Sequence, residues 1–270
     1  MGIKFKNVCY GNIDKLNLDL HSNEVVSVIG ADEKMVNDFL DLIYGFKIPT
    51  EGEIVVNRKT INNKVNDNKL AKIRECIAYL IPDSNSMLFN INVLEDIKYG
   101  LNKVNDKKLY DLLELFNLEE KILSKNYTEL SDSEKKKICL ISILLKDTKI
   151  TILSNLCDYF DSKTKSNLVK YLRKEKRSDK LFIITSQDTD FILQVSDRVL
   201  TMSDREIKLE QDKYNFFSNQ DLMYRFQMSM PFVVKFRNSV LNKKKIKLNN
   251  RDNVNDLLKD IYRNASKINE

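Results

Sequence analysis

The sequence predicts an α/β fold with buried parallel strands, and three observations carry that prediction. KITIL (149–153) and LFIIT (181–185) are apolar runs of the type found in buried parallel strands, which are covered on both faces. The segment between them, SKTKSNLVKYLRK, is helical in pattern. VVSVIG (25–30) is a further apolar strand, and a helix-patterned stretch follows it from about Val36. Strands alternating with helices imply right-handed crossovers in one sheet. A chain of 270 residues can bury one large core, or one large and one small domain.

The remaining elements follow in order. IKFKNVCYGNIDKLNLDLHSNEVVSVIG alternates apolar and polar residues around tight turns, as short strands do. EIVVN (53–57) is another strand after the turn PTEGE, and KIRECIAYLIP ends in a strand at Ile77 to Ile81. From Val93 to Leu123 the pattern is helical. LSDSEKKKICLISILL (130–145) reads as one helix, with Ser131 as N-cap and Glu134 at capping-box spacing. After RVLTMSDREIKL a less periodic tail runs from about Tyr214 to a helical finish, NVNDLLKDIYRNAS. The chain shows no internal repeat.

Composition narrows the function classes. Apolar residues make up 42% and charged residues 31%, ordinary for a globular protein. No apolar run reaches the length of a membrane span, and the opening MGIKFKNVCY lacks a signal-peptide core, so a cytoplasmic protein is expected. Cys9, Cys76, Cys139 and Cys157 form no C-x-x-C pair and are read as buried reduced thiols. With His21 as the single histidine, no metal site is expected. The net charge of +6 is scattered among acidic residues, and its densest cluster is Lys243, Lys244, Lys245 and Lys247. That cluster is read as a solvated face, ahead of a nucleic-acid patch or a contact with anionic lipid. Six glycines in 270 residues is about 2%, against a typical usage near 7%, which does not suit several glycine-rich phosphate loops.

The strand-to-helix corner at Gly30 has the frame of a phosphate-binding loop without its groups. Counted from Gly30, the motif G-x-x-x-x-G-K-S/T would place its second glycine at Met35, its lysine at Val36 and its hydroxyl at Asn37. Met35 adds a side chain where the backbone must approach a phosphate closely. Asp32 and Glu33 add negative charge, and Lys34 lies two positions early, where it is read as a surface lysine.

With Gly30, Gly45, Pro49 and Gly52 in register, the order of elements resembles the ATP-binding cassette (ABC) ATPases, and most of all the ATPase subunits of energy-coupling factor (ECF) importers. FKNVCY resembles the strand carrying the adenine-stacking aromatic, here Tyr10, and GFKIPTEGEIVVN resembles the G-x-x-x-P-T-x-G-E-I segment. IAYLIPDSNSMLFNINVLEDIKYG resembles the Q-loop stretch, including the Leu-Phe and Val-x-Glu-Asp run of the ECF branch. LSDSEKKK stands in the place of the LSGGQ signature, KITILSNLCDYFD matches Walker B through the D-loop, and SDRVLTM the strand after the switch histidine. The resemblance implies a P-loop NTPase-like core over 1–213, with N-terminal antiparallel strands and a helical subdomain at about 84–147. It also implies a C-terminal helical dimerisation or accessory domain over 214–270.

The same resemblance shows losses where the family does its chemistry. Val36 replaces the phosphate-binding lysine and Asn37 the Mg²⁺-holding hydroxyl. The Walker B Asp and Glu positions are Ser154 and Asn155, the Q-loop glutamine is Pro82, and the switch histidine is Gln187. In the signature, Ser131 stays while Asp132, Ser133 and Glu134 replace Gly, Gly and Gln. Ser131, the D-loop Asp161 and the turn residue Gly30 are what remains. Ser131 and Asp161 also read as a helix cap and a turn acid, Tyr10 as a surface aromatic, and Gln187 as a strand-end polar group. In the family, two subunits sandwich ATP, and Asp132 and Glu134 would face the partner's γ-phosphate. A carboxylate about 5 Å from a phosphate charge costs roughly 3 kcal/mol at an effective dielectric near 20.

The expectation is therefore a degenerate, pseudo-ATPase subunit with no catalytic residue of its own and no metal. ATP and Mg²⁺ would bind only at a site shared with a partner. The expected partners are a second ABC ATPase in a heterodimer and an ECF-type transmembrane coupling protein, with no nucleic acid. The expected place is the inner face of the cell membrane, as a peripheral subunit. Two alternatives stand beside it: a weakly active ATPase recruiting Lys34 and Asp158, and a soluble regulatory scaffold.

Overall fold

The computed structural model of the chain describes residues 2–101, 103–157, 160–203, 206–210, 212–244 and 248–268. Asp158, Lys245 and Lys247 lie outside the described residues. Strands β1 (Gly2–Tyr10) and β2 (Ile13–His21) form a hairpin, and β3 (Glu24–Gly30) leads into helix α1 (Glu33–Tyr44). Strands β4 (Glu51–Val56) and β5 (Lys59–Ile61), helix α2 (Asp67–Arg74) and strand β6 (Ile77–Leu80) follow. A helical stretch comes next: α3 (Val93–Lys98), α4 (Asp106–Leu115) and α5 (Asp132–Leu145). It ends at β7 (Ile150–Leu153), which α6 (Ser162–Glu175) joins to β8 (Leu181–Ile184). Helix α7 (Thr189–Val195), β9 (Arg198–Ser203) and β10 (Glu206–Glu210) complete the sheets. The C-terminal part holds α8 (Lys213–Ser218), α9 (Gln220–Arg225), α10 (Phe232–Lys244) and α11 (Val254–Ile268).

Two sheets result. The first is antiparallel, in the order β2-β1-β4-β5, and the second runs β10-β9-β3-β8-β7-β6 with every pairing parallel except β9 with β10. The apolar runs at 150–153 and 181–184 are buried at every position, as strands covered on both faces must be. The loops that follow β3, β7 and β8 meet at the carboxyl ends of those parallel strands, where open α/β sheets hold ligands.

Helix α1 lies between the two sheets. Phe39, Leu40, Leu42 and Ile43 are fully buried, and Phe39 stacks on Phe5 with ring centroids 5.2 Å apart. Four such side chains contribute roughly 6–12 kcal/mol of burial free energy before conformational entropy is subtracted. The helix stops at Gly45, whose φ of 78° and N–H to Asp41 O make the left-handed cap that favours glycine. Gly52 has φ 76°, and a Cβ there would overlap the carbonyl oxygens of Lys6 and Asn7 on β1. The Pro-Thr-x-Gly turn therefore needs its glycine for the close approach of β4 to β1.

Three expectations change at this level. The helical stretch expected from Val93 to Leu123 is broken: α3 ends at Lys98, Gly100 adopts φ 73°, and residues 120–124 form a 3₁₀ turn. The tail after Tyr214 is more helical than its weak periodicity suggests. Its first two helices, α8 and α9, are short, and Phe216, Phe217, Phe226, Val233 and Val234 pack as one cluster against Ile29, Ile192 and Val199. Tertiary burial, which local pattern does not register, orders them. Finally, Cys139 and Cys157 are buried thiols outside any disulfide, whereas Cys9 and Cys76 are half-buried. Both lie near polar groups that keep their surroundings open to solvent: Cys9 Sγ accepts from Lys15 N, and Cys76 Sγ lies 3.6 Å from Lys59 Nζ.

Candidate functional site

At the end of β3 the chain does not stay open as a loop. Helix α1 begins at Glu33, three residues before the expected start near Val36. The reason is local chemistry. Glu33, Lys34 and Met35 are good helix formers, with Met35 standing where the frame calls for glycine, and Asp32 is a strong N-cap residue. Asp32 takes extended backbone angles, and its Oδ1 accepts from Lys34 N at 2.9 Å. Val36 N donates to Asp32 O at 3.2 Å, and Ala31 N donates to Met202 O at 3.0 Å. The N–H groups of Ala31, Lys34 and Val36 are thus already engaged, and two carboxylates, Asp32 and Glu33, sit at the positive end of the helix.

Met35 does not obstruct the corner as expected. Its side chain turns into the core and is 3% exposed, because α1 rotates it onto the buried face. Val36 takes that place: it lies directly against Gly30, whose added Cβ would overlap Val36 Cγ2. Lys34 is exposed, and Asn37 is half-buried.

The Walker B positions follow β7. Ser154 is buried; its N–H donates to Leu80 O and its carbonyl accepts from Lys136 Nζ at 3.4 Å. Asn155 has φ 47°, and its N–H donates to Thr185 Oγ1 at 2.8 Å. Gln187 is exposed just beyond β8, and Pro82 is half-exposed just beyond β6. Tyr10 is half-buried and packs against the core between the sheets. Among the described residues, no group of three or more His, Cys, Asp or Glu side chains could hold a metal ion.

A charged cluster on α1 was not read from the sequence. Lys47 Nζ lies 2.5 Å from Asp38 Oδ1 and 3.0 Å from Asp41 Oδ2. The hydrogen bond to Asp38 holds the ammonium above the ordinary lysine range, against burial and with help from Asp41. Tyr79 OH donates to Asp41 at 3.4 Å, and burial, then the Asp41 charge, pushes the phenol up. The i, i+3 acids followed by a lysine just past Gly45 were the available signal.

The signature helix is closed in the same way as α1. Ser131 caps α5: its Oγ accepts from Glu134 N, while Glu134 Oε2 accepts from Ser131 N at 2.8 Å and from Ser131 Oγ at 2.7 Å. The Ser131 N–H, then its hydroxyl, hold the Glu134 carboxyl below its usual range, so it stays charged at neutral pH. Asp132 is exposed and lies 3.9 Å from Lys135. Asp161 caps α6 by accepting from Thr164 N at 2.7 Å, the bond that chiefly lowers its pKa.

A cavity of about 240 Å³ remains beside the corner. It brings together Gly30, Val36, Asn37, Asn155 and Gln187 among the predicted positions. Tyr10, Lys34, Pro82, Ser131, Ser154 and Asp161 do not line it. Phe226 and Met228 do, and nothing in the sequence near them signals it, because the C-terminal chain reaches this spot only through its folding onto α7 and β9. The donor set does not match Mg²⁺-triphosphate: it offers amides, hydroxyls and one carboxylate, with no lysine, no hydroxyl on Asn37 and no Walker B acid.

The parallel sheet, the antiparallel sheet beside it and the helical insert between β6 and β7 define an ATP-binding-cassette fold. The chain belongs to the ABC transporter family, whose profile matches residues 13–155. It is 25% identical over 261 residues to the energy-coupling factor transporter ATP-binding protein EcfA2 of Staphylococcus epidermidis, covering 90% of this chain and 91% of that one. It is 22% identical over 252 residues to the corresponding EcfA3 of Oenococcus oeni, covering 87% and 88%. Among solved structures it is similar in fold to cbiO1 of Clostridium perfringens, part of the ABC transporter complex cbiONQ, with TM-score 0.68, 19% identity and 87% and 97% coverage. The ATP-binding cassette MJ0796, solved as a dimer bound to ADP and Pi, gives TM-score 0.65 at 20% identity, covering 77% and 98%.

Proposed function

We propose that this chain is a non-hydrolysing subunit of an energy-coupling-factor type importer, pairing with a second, competent ABC ATPase and docking on a transmembrane coupling subunit. The observation that carries the reading is that both helix N-termini the family presents to phosphate are capped by the chain's own side chains. Asp32 sits on α1, and Ser131 with Glu134 sits on α5. An incoming triphosphate would have to displace these groups and meet their charge, at roughly 3 kcal/mol for each carboxylate held about 5 Å from a phosphate charge. The lysine and the Mg²⁺ ligands that would offset this cost are absent from the sequence. Phosphoryl transfer rests on positioning and charge neutralisation, so a site lacking both has no route to lower the barrier.

What the chain retains is shape. Its α3 region presents Phe89, Ile91 and Tyr99 at the surface, 55%, 79% and 62% exposed. Asp96 Oδ1 holds that turn by accepting from Phe89 N, Asn90 N and Asn90 Nδ2, each at 2.9 Å. An apolar knob on a fixed turn suits docking on a membrane partner, with residues 214–270 as the accessory domain. None of the helices among the described residues is long and apolar enough to cross a membrane, and the proposed place is peripheral, on the inner membrane face. ATP with Mg²⁺ would bind only at the site shared with the partner.

The test has two arms. Equilibrium titration of the isolated chain with ATP, with and without Mg²⁺, should show no Mg²⁺-dependent binding in the micromolar range. Purification of the native complex should recover a second ATPase with intact motifs and a membrane subunit; a homodimer alone would overturn the pairing.

A further inference from the structure

The cavity at the end of β3 and β8 holds chemistry that the closed phosphate corner does not use. Glu33 and Asn37, one helical turn apart on α1, meet Asn155 from the end of β7 and Gln187 from the end of β8. Among the described residues the carboxylate of Glu33 and the three side-chain amides have no hydrogen-bond or ion-pair partner. Thr185 Oγ1 and Ser186 Oγ also line the space; each accepts a backbone N–H and keeps its own proton to donate. Phe226 and Met228 form the apolar side. Four unengaged polar groups from three separate segments, two of them on exposed residues, thus converge on one half-open cavity with an apolar wall, the makeup of a small-ligand site.

Charge sets the ligand class. Glu33 is the one ionisable side chain in the lining, and Asp32 stands beside it on the capped end of α1. The helix end contributes roughly half a positive charge, which two carboxylates exceed. An anion entering here meets the Glu33 carboxylate and no cation in the lining. A cation meets a carboxylate and three amide oxygens. Size sets the rest. A volume of about 240 Å³ holds about eight water-sized groups, below the range of drug-sized pockets.

The geometry points to a binding site for a small aliphatic ammonium compound, a monoamine or short diamine, with its ammonium at Glu33 and the amides and its carbon chain against Phe226 and Met228. The site rests on the reading that triphosphate is not gripped at this corner, and it reverses the charge preference of the family's pocket.

Calorimetric titration of the full chain tests it, with n-butylamine and putrescine as probes, n-butanol as the neutral control, and inorganic phosphate and Mg·ATP in parallel. The amines should bind saturably and n-butanol more weakly. Glu33→Gln, a surface change that leaves the fold intact, should weaken the amines by about fivefold, the scale of a single exposed charge pair. Asn37→Leu should weaken them at nearly constant volume. Absence of saturable amine binding, equal binding of n-butanol, or an unchanged Glu33→Gln affinity would each overturn the site. Mg·ATP binding would overturn the proposed function separately, whatever the amines do.

Discussion

Substituting Asp32 by Ala removes the acceptor that Lys34 N uses at 2.9 Å and takes a negative charge from the positive end of α1. Loss of an N-cap side chain costs about 1 kcal/mol, and loss of the charge–dipole interaction about 0.5 kcal/mol, so Asp32→Ala should lose about 1.5 kcal/mol. At about 2–4 °C per kcal/mol for a chain of this size, the melting temperature should fall by about 3–6 °C. Asp32→Ser keeps a capping oxygen and loses the charge alone, so it should fall by only about 1–2 °C. Differential scanning calorimetry at low ionic strength resolves the two, because salt screens the charge effect and leaves the cap effect. If Asp32→Ala melts with the parent protein, α1 is not capped there. The corner would then be an open loop, and the argument for a self-occupied phosphate site collapses.

Gly52→Ala should be among the most damaging single-methyl changes in the chain. Its φ is positive and the new Cβ would meet two backbone carbonyls, so a loss of more than about 2 kcal/mol is expected in urea unfolding. Asp147 gives a pH signature. Burial raises its pKa, but hydrogen bonds from Lys108 and Lys180 outweigh that and bring it to about 2, below its ordinary 3.8. A depressed carboxyl stabilises above its unfolded pKa and loses that contribution as pH falls from 3.8 toward about 2. With the side chain 61% exposed, solvent screening limits the effect to about 1 kcal/mol or less. Asp147→Asn should flatten the acid limb of the stability curve in that window and leave the neutral-pH profile shape unchanged.

Much of the fold was legible in the chain itself. The runs at 150–153 and 181–184 read as doubly covered strands, because apolar side chains at alternate and at successive positions point to both faces of a sheet, with Thr151 the one polar residue among them. The cap at Ser131 and Glu134 was legible too, because a capping box is a contact between residues three apart. The losses at Val36, Asn37, Ser154 and Asn155 needed only the frame and a count of positions.

The start of α1 was not legible in the same way. Pattern placed it near Val36, where apolar periodicity begins; the structure places it at Glu33, where the cap is. Hydrophobic period reports which face of a helix is buried and says little about where its exposed first turn begins. The direction of Met35, the seat of Val36 on Gly30 and the half-open surroundings of Cys9 and Cys76 depended on neighbours distant in sequence. So did the cavity, whose walls come from residues 28 to 228. What the sequence by itself determined was which groups this protein lacks, since an absent lysine or carboxylate is absent in every conformation. Only the tertiary structure decided which groups occupy the place instead, because non-local packing sets which side chains meet across a space.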